Sequence, residues 1–133
     1  MIVADSSVIV AIMRREENAD VWIEALDRTS RAFMSIVSYV ETSMVMAAGR
    51  RSRADPHQVD VTLQALHISV VPVTVDQGNV AVTAFMRFGK SRHPAALNLG
   101  DCFSYALAKT RDLPLLFKGD DFSRTDIVPA WQP

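Results

Sequence analysis

Short apolar runs alternate along the chain with stretches whose apolar residues recur at helical spacing. The apolar runs predict four strands, at residues 2–4, 31–35, 68–75 and 113–118. The helical spacing predicts six helices, at residues 6–13, 18–28, 36–49, 55–66, 76–88 and 98–110. Ile127 and Val128 form a further apolar pair, which predicts a short fifth strand at a sheet edge.

Small polar residues, proline and glycine mark the predicted ends of these elements. Asp55 followed by Pro56 predicts an N-cap with proline in the first helical turn, and Gly49 predicts the end of the helix before it. Asp76 is predicted to cap the helix that follows the third strand. Residues 89–97 mix glycine, proline and basic residues, so they are predicted to form a loop.

This order of elements predicts the fold class. Strands that alternate with helices through short connections favour a parallel sheet with helices on both faces. We therefore expect a three-layer α/β/α arrangement around a central parallel sheet of four to five strands. The length of 133 residues fits one domain, and the sequence shows no internal repeat or linker, so we expect a single domain over residues 1–133.

Composition restricts the class of protein. Hydrophobic residues make up 49% and charged residues 22%, which is typical of a globular domain. The single cysteine excludes an internal disulfide, and the three histidines lie too far apart in sequence for zinc-ligand spacing. The apolar run from Val8 to Met13 is too short for a membrane span or a signal-peptide core, so we expect a cytoplasmic protein without a membrane partner.

Charge is nearly balanced, with a formal net charge of −1. This argues against a domain that coats nucleic acid through bulk electrostatics, because such domains are usually strongly basic. Two local basic clusters are either solvated helix ends or contacts to a phosphate backbone, and Arg92 and His93 are the candidates nearest to the predicted helix at 98–110. The clusters consist of Arg50, Arg51 and Arg53, and of Arg87, Lys90, Arg92 and His93.

Acidic residues follow the predicted strands or lie on helices that begin near the same sheet edge. The carboxyl ends of parallel strands meet at one edge, where ligands bind in open α/β sheets. Asp5 follows the first strand and Asp120 and Asp121 follow the fourth, while Glu41 and Asp101 lie on helices. Helix capping explains Asp5 and Asp101 equally well, and an ordinary turn explains Asp120 and Asp121.

Glu41 is harder to explain as a surface residue. Its helical neighbours Val37, Met44, Val45 and Ala48 form an apolar stripe. A buried carboxylate without a partner costs several kcal/mol, so we expect a cation, a metal ion or a strong hydrogen-bond donor beside it.

Convergence of these carboxylates would require divalent cations, since like charges raise one another's pKa. Oxygen ligands without histidine or thiolate favour Mg²⁺ or Mn²⁺ over zinc. Carboxylate-held ions of this kind activate water for attack on a phosphodiester.

Five segments resemble a known family. They are residues 3–7 (VADSS), 38–41 (SYVE), 97–109 (LNLGDCFSYALAK), 115–122 (LLFKGDDF) and 125–127. With these segments in this order, the chain resembles the PIN-domain ribonucleases and, within them, the VapC toxins of bacterial type II toxin–antitoxin pairs.

The resemblance implies the roles of the acidic residues. Asp5, Glu41 and Asp101 would be the core metal ligands and catalytic acids, with Asp120 or Asp121 as the fourth carboxylate, and Ser7 would supply a supporting hydroxyl. It also implies Mg²⁺- or Mn²⁺-dependent cleavage of structured RNA such as tRNA or rRNA. A homodimer and a VapB-type antitoxin that wraps the toxin and covers the acidic pocket are the implied partners.

Other interpretations explain fewer of these residues. A Mg²⁺-binding phospho-receiver would use a lysine such as Lys118, but it needs two adjacent acids after the first strand. A haloacid-dehalogenase-type phosphatase would need an aspartate where Ser7 stands. A catalytically silent interaction domain leaves Glu41 unexplained, and Cys102 is expected to be a small core residue.

Overall fold

A computed structural model describes residues 1–49 and 55–132 and contains one parallel sheet. Its strand order is β3-β2-β1-β4. The strands are β1 (Ile2–Ala4), β2 (Ala32–Ser35), β3 (Ile68–Val71) and β4 (Leu115–Leu116). The helices are α1 (Ser6–Met13), α2 (Ala19–Asp27), α3 (Ile36–Ala48), α4 (Pro56–Ala65), α5 (Val75–Phe88) and α6 (Leu99–Arg111), followed by a 3₁₀ turn at Phe122–Arg124.

The central strand β1 is buried from both faces. Val3 is opposite Phe33 of β2 and Leu115 of β4 in the parallel register. Successive side chains of a strand point to opposite faces, so Ile2 and Ala4 join one hydrophobic core and Val3 joins the other.

Each core is completed by helices on its own side of the sheet. On one face, α1, α2 and α4 contribute apolar residues such as Ile9, Leu26 and Leu63. On the other face, α5 and α6 contribute residues such as Phe88 and Leu107. The predicted three-layer α/β/α fold with a parallel sheet is therefore confirmed.

The predicted boundary between the third strand and the next helix is wrong. β3 ends at Val71 rather than at 75, because Pro72 has no N–H to continue the ladder. The N-cap of α5 is Thr74, whose side chain accepts a hydrogen bond from Gln77 N at 3.1 Å. Asp76 is not the cap and lies in the first turn, where an acid suits the helix dipole.

The last predicted strands are shorter than expected. β4 contains only Leu115 and Leu116, because Pro114 interrupts the run. In place of the fifth strand, Leu115 forms an isolated parallel bridge with Pro129, which Leu115 N→Val128 O (2.9 Å) and Ala130 N→Leu115 O (2.8 Å) hold together. This bridge places residues 128–130 beside Leu115, the first residue of β4.

The remaining predictions give a mixed result. The loop at 89–97 is confirmed, and Leu97 N donates to Phe88 O at 2.9 Å across its ends. Gly49 follows α3 with φ −65°, so it does not form the left-handed turn expected of a glycine cap. The basic cluster at Arg50, Arg51 and Arg53 lies outside the described residues. No helix in residues 1–49 and 55–132 is long and apolar enough to cross a membrane.

Candidate metal centre

Asp5 lies at the carboxyl end of β1 and is also the N-cap of α1. It is 2% exposed. Its Oδ2 accepts hydrogen bonds from Ser7 N at 3.0 Å and Ser7 Oγ at 2.7 Å, and its Oδ1 accepts one from Ser104 Oγ at 2.6 Å. Asp5 can therefore cap α1 through Oδ2 and still belong to the acidic group, because its carboxylate has a second oxygen.

Buried serines connect Asp5 to the helices around it. Ser104 on α6 and Ser38 on α3 share a hydrogen bond of 3.0 Å between their hydroxyls. Lys118 N donates to Ser7 Oγ at 3.1 Å, which ties the segment after β4 to the start of α1. Sequence reasoning included Ser7 but missed Ser38 and Ser104. Each lies three residues from a candidate acid, on the same helix face, and this spacing was the available signal.

Glu41 projects from α3 towards the start of α1 and α6. Its Oε1 accepts a hydrogen bond from Ser6 Oγ at 2.5 Å, which supplies the strong donor that the sequence predicted. A Cβ at Gly100 would lie 2.7 Å from the same Oε1, so any other residue there would displace this carboxylate from its place beside α6. Neither Ser6 nor Gly100 was recognised from the sequence.

The apolar stripe around Glu41 does not face the core, contrary to expectation. Met44 is 67% exposed and Val45 is 36% exposed. The buried residues of α3 are Ser38, Thr42 and Met46. Because apolar residues occur on both faces of α3, their pattern did not determine which face is buried. Glu41 is half-buried at the boundary between the two faces.

Asp101 belongs to the first turn of α6. It forms a capping box with Asn98, in which Asn98 N donates to Asp101 Oδ2 at 3.0 Å and Asp101 N donates to Asn98 Oδ1 at 2.9 Å. The pKa of Asp101 is raised to about 7, chiefly by burial and also by the charges of Asp5, Asp121 and Glu41, against the lowering effect of the Asn98 N–H. The capping interpretation of Asp101 is confirmed, and the same side chain interacts with the other acids.

Asp120 and Asp121 are both exposed but face different surroundings. Asp121 is one of the charges that raise the pKa of Asp101. Asp120 lines a separate cavity with Trp22, Phe117 and other residues.

The oxygen chemistry of this group fits a hard divalent cation. All of the candidate acids offer only carboxylate oxygens as ligands. The raised pKa of Asp101 means that its ionised form is disfavoured unless a cation lies nearby. Within the part of the chain that the structure describes, no three histidine, cysteine or acidic side chains already form an ion cage. Serine hydroxyls occupy oxygens of Asp5 and Glu41 instead, so an ion would have to draw the carboxylates closer together.

Three other candidates have structural roles. Cys102 is buried, and burial raises the pKa of its thiol to about 11, as expected of a core residue. His93 Nδ1 accepts a hydrogen bond from Ala95 N at 3.0 Å within the loop. Lys118 pairs with Glu16, which removes the lysine that a phospho-receiver would use. Contact between nucleic acid and Arg92 or His93 stays a prediction.

Comparison with known proteins gives a consistent result. A family model described as PIN domain matches residues 2–128. Ribonuclease VapC42 of Mycobacterium tuberculosis is 47% identical over 130 residues, covering 96% of this chain and 98% of the relative. Ribonuclease VapC of Mycolicibacterium smegmatis is 41% identical over 126 residues, covering 95% and 97% of the two chains.

Solved structures support the same fold. The sarcin-ricin loop cleaving toxin VapC20 of M. tuberculosis has a TM-score of 0.75 at 16% identity, and a toxin–antitoxin complex from Klebsiella pneumoniae has a TM-score of 0.71 at 16% identity. Both matches cover 100% of each chain. Ribonucleases of this family are generally divalent-metal dependent. The family predicted from the sequence is thus confirmed, and the chain belongs to the PIN-domain family and, within it, to the VapC ribonucleases.

Proposed function

We propose that the protein is the toxin of a type II toxin–antitoxin pair and cuts structured RNA, such as tRNA or rRNA, in the cytoplasm. The observation that carries this proposal is that the carboxylates of Asp5 and Glu41 both reach α6 beside Asp101. Asp5 accepts a hydrogen bond from Ser104 of α6, and the Glu41 carboxylate lies against Gly100. Relatives that match nearly the whole chain are VapC ribonucleases, so cleavage of RNA is the reaction that we propose for this acidic group.

Asp5, Glu41, Asp101 and Asp121 are the proposed ligands of Mg²⁺ or Mn²⁺. Asp121 is preferred to Asp120 as the fourth carboxylate, because it affects Asp101 whereas Asp120 lines the separate cavity. When bound, a divalent cation supplies positive charge for the phosphate oxygens and makes water more acidic. The protein's own hydrogen bonds from Ser6, Ser7, Ser104 and Asn98 orient three of the four acids.

The proposed protein partner is a VapB-type antitoxin that covers the acidic group. Support comes from the solved relatives, which include a toxin–antitoxin complex from K. pneumoniae and VapBC2 of Rickettsia felis, with a TM-score of 0.65 at 12% identity. Covering the acids would exclude RNA from them.

A second copy of the chain is the other proposed partner. Large apolar side chains are exposed on α3 and α5, the helices on either side of α6. They are Val40, Met44 and Val45 on α3 and Val82, Phe85 and Met86 on α5. Exposed apolar surface of this kind usually marks an interface. Sedimentation as a monomer at micromolar concentration would contradict a homodimer.

The decisive experiment measures RNA cleavage by the purified chain freed of antitoxin. Cleavage is expected in Mg²⁺ or Mn²⁺, and either chelation by EDTA or Asp5→Ala should abolish it while circular dichroism shows a folded protein. Asp76→Asn removes an exposed acid of α5 and is the matched control, with activity unchanged. Cleavage by Asp5→Ala in excess EDTA would refute the mechanism.

A further inference from the structure

A cavity of about 480 Å³ opens beside the segment that follows β4. We call it the tryptophan pocket, and its principal lining residues are Trp22, Phe117, Gly119, Asp120 and Trp131. Its size lies within the range of pockets that hold small organic ligands. The same segment carries Asp121, so the pocket adjoins the acidic group.

Aromatic rings in the pocket are held by other rings. Trp22 is buried and packs edge to face against Trp131, with ring centroids 5.2 Å apart. Phe117 packs at a tilt against Phe122, also with centroids 5.2 Å apart. Trp131 and Phe117 are only half-buried, so parts of fixed rings face the cavity. Fixed aromatic faces are the surfaces on which unpaired nucleobases stack.

Asp120 is the charged residue among those that line the pocket, which also include the polar Ser123 and Gln132. Across residues 1–49 and 55–132, its carboxylate takes part in no hydrogen bond or ion pair, and no lysine or arginine lines the pocket. Gly119, with φ +97°, allows the turn that presents Asp120, because a left-handed conformation is strained for other residues. A lone carboxylate repels phosphate and attracts N–H donors.

Guanine is the nucleobase that matches this carboxylate best. Its N1–H and N2–H point in the same direction from one edge and can donate to the two oxygens of a carboxylate together. Uracil presents a single N–H on that edge. The pocket therefore combines a stacking surface with a hydrogen-bond acceptor that distinguishes among bases.

We propose that the tryptophan pocket takes a guanine base of the RNA strand whose phosphodiester lies at the acidic group, an inference that rests on the proposed function. Asp120 lines the pocket, and the charge of the next residue, Asp121, acts on Asp101 in the acidic group. One chain segment would thus position a base and a phosphodiester of the same strand. Asp120 is the residue that sets base preference.

Tryptophan fluorescence can test the pocket without catalysis. The chain contains two tryptophans, Trp22 and Trp131, and both line the pocket. Metal-free protein is titrated in EDTA, which prevents cleavage, with RNA trinucleotides that differ only in the central base, UGU, UAU, UCU and UUU. UGU should quench the fluorescence and bind about tenfold more tightly than UUU, the size expected for one stacked and hydrogen-bonded base.

Variants assign this preference to Asp120. Asp120→Asn should reduce the affinity for UGU to that for UUU, and Trp131→Ala should weaken binding of all four trinucleotides. Trp131→Phe should restore stacking and hence the order of affinities, measured through the remaining Trp22. Asp76→Asn is the matched charge control and should behave like the parent.

Cleavage mapping separates this inference from the proposed function. With Mn²⁺ and total tRNA and rRNA as substrates, the parent should cut at a fixed position relative to guanine, and Asp120→Asn should lose that preference. Cleavage by both proteins with the same base preference would overturn the pocket assignment and leave the ribonuclease proposal intact. The expected quenching without any cleavage would refute the ribonuclease proposal and leave the base-binding pocket supported.

One result would assign the pocket to a protein partner instead. If a hexa-arginine peptide quenches the tryptophans and the four trinucleotides do not, the aromatic rings and Asp120 bind a cationic segment. That outcome would overturn the nucleobase proposal.

Discussion

The acids at the two ends of the site differ in how firmly they are held. Asp5, at the end of β1, is buried and accepts three hydrogen bonds from Ser7 and Ser104. Asp120 and Asp121, after β4, are exposed, and no described residue donates a side-chain hydrogen bond to either carboxylate. Under the proposed function, we therefore expect cleavage to depend more on the fixed acid Asp5 than on either exposed aspartate.

The largest effect is expected from a variant that removes a hydrogen bond to the buried acid Asp5. Ser104→Ala removes the donor to Asp5 Oδ1 and the partner of Ser38. Loss of such an orienting hydrogen bond should lower kcat/KM for RNA cleavage by about 10- to 100-fold. Leaving buried polar groups unpaired should also lower the free energy of unfolding by about 1 to 3 kcal/mol, measured in urea.

The control for this change is Ser30→Ala, at an exposed serine between α2 and β2. It should leave both quantities as in the parent. Activity of Ser104→Ala within twofold of the parent would show that Asp5 does not depend on the buried serines.

A smaller effect is expected from substitution of the exposed aspartates that follow β4. Asp121→Asn should weaken Mn²⁺ binding about tenfold in calorimetry, because it removes one charge but no fixed contact. Asp120→Asn is the matched variant at the neighbouring position and should bind Mn²⁺ like the parent. If Asp120→Asn loses more Mn²⁺ affinity than Asp121→Asn, the fourth carboxylate is Asp120 and the comparison between the two aspartates is reversed.

The smallest effect concerns the stability of the metal-free protein. The pKa of Asp101 is raised from 3.8 to about 7 by burial and by the neighbouring acids. Between these two values the unfolded chain has released the proton and the folded chain still holds it, so stability falls as the pH rises from about 4 to about 7. Partial exposure reduces this contribution to about 1 to 2 kcal/mol.

Thermal melting in EDTA at pH 5 and pH 8 measures this dependence. Asp101→Asn should show a smaller difference between the two pH values, because asparagine can still accept the Asn98 N–H but does not ionise. Mn²⁺ should stabilise the parent at pH 8 more than at pH 5. An equal pH dependence in the parent and Asp101→Asn would contradict the role of Asp101.

Much of the fold and of the site could be predicted where the signal is local. An apolar run that ends at Asp5 and a helix that starts at Ser6 gave the correct bounds of β1 and α1. The resemblance of Asn98 and Asp101 to a capping box was also confirmed. In both cases the residues that define the element are neighbours in sequence.

Predictions failed where strand propensity was given more weight than Pro72, and where packing decides which face of a helix is buried. The strand at 68–75 was extended too far because Val73, Thr74 and Val75 are β-branched, yet Pro72 ends the ladder and Thr74 caps α5. The orientation of α3 was wrong because its buried face is formed partly by Ser38 and Thr42. The partners of these hydroxyls lie far away in sequence, or on the helix backbone, and no local pattern identifies them.

Gly100 has a practical consequence for anyone who needs this protein folded but silent. Its missing side chain is the space into which the Glu41 carboxylate fits, and one methyl group would fill that space. Elsewhere in a helix such a methyl group ordinarily aids folding. Under the proposed function, Gly100→Ala is therefore expected to displace the Glu41 carboxylate and to weaken RNA cleavage while the protein stays folded.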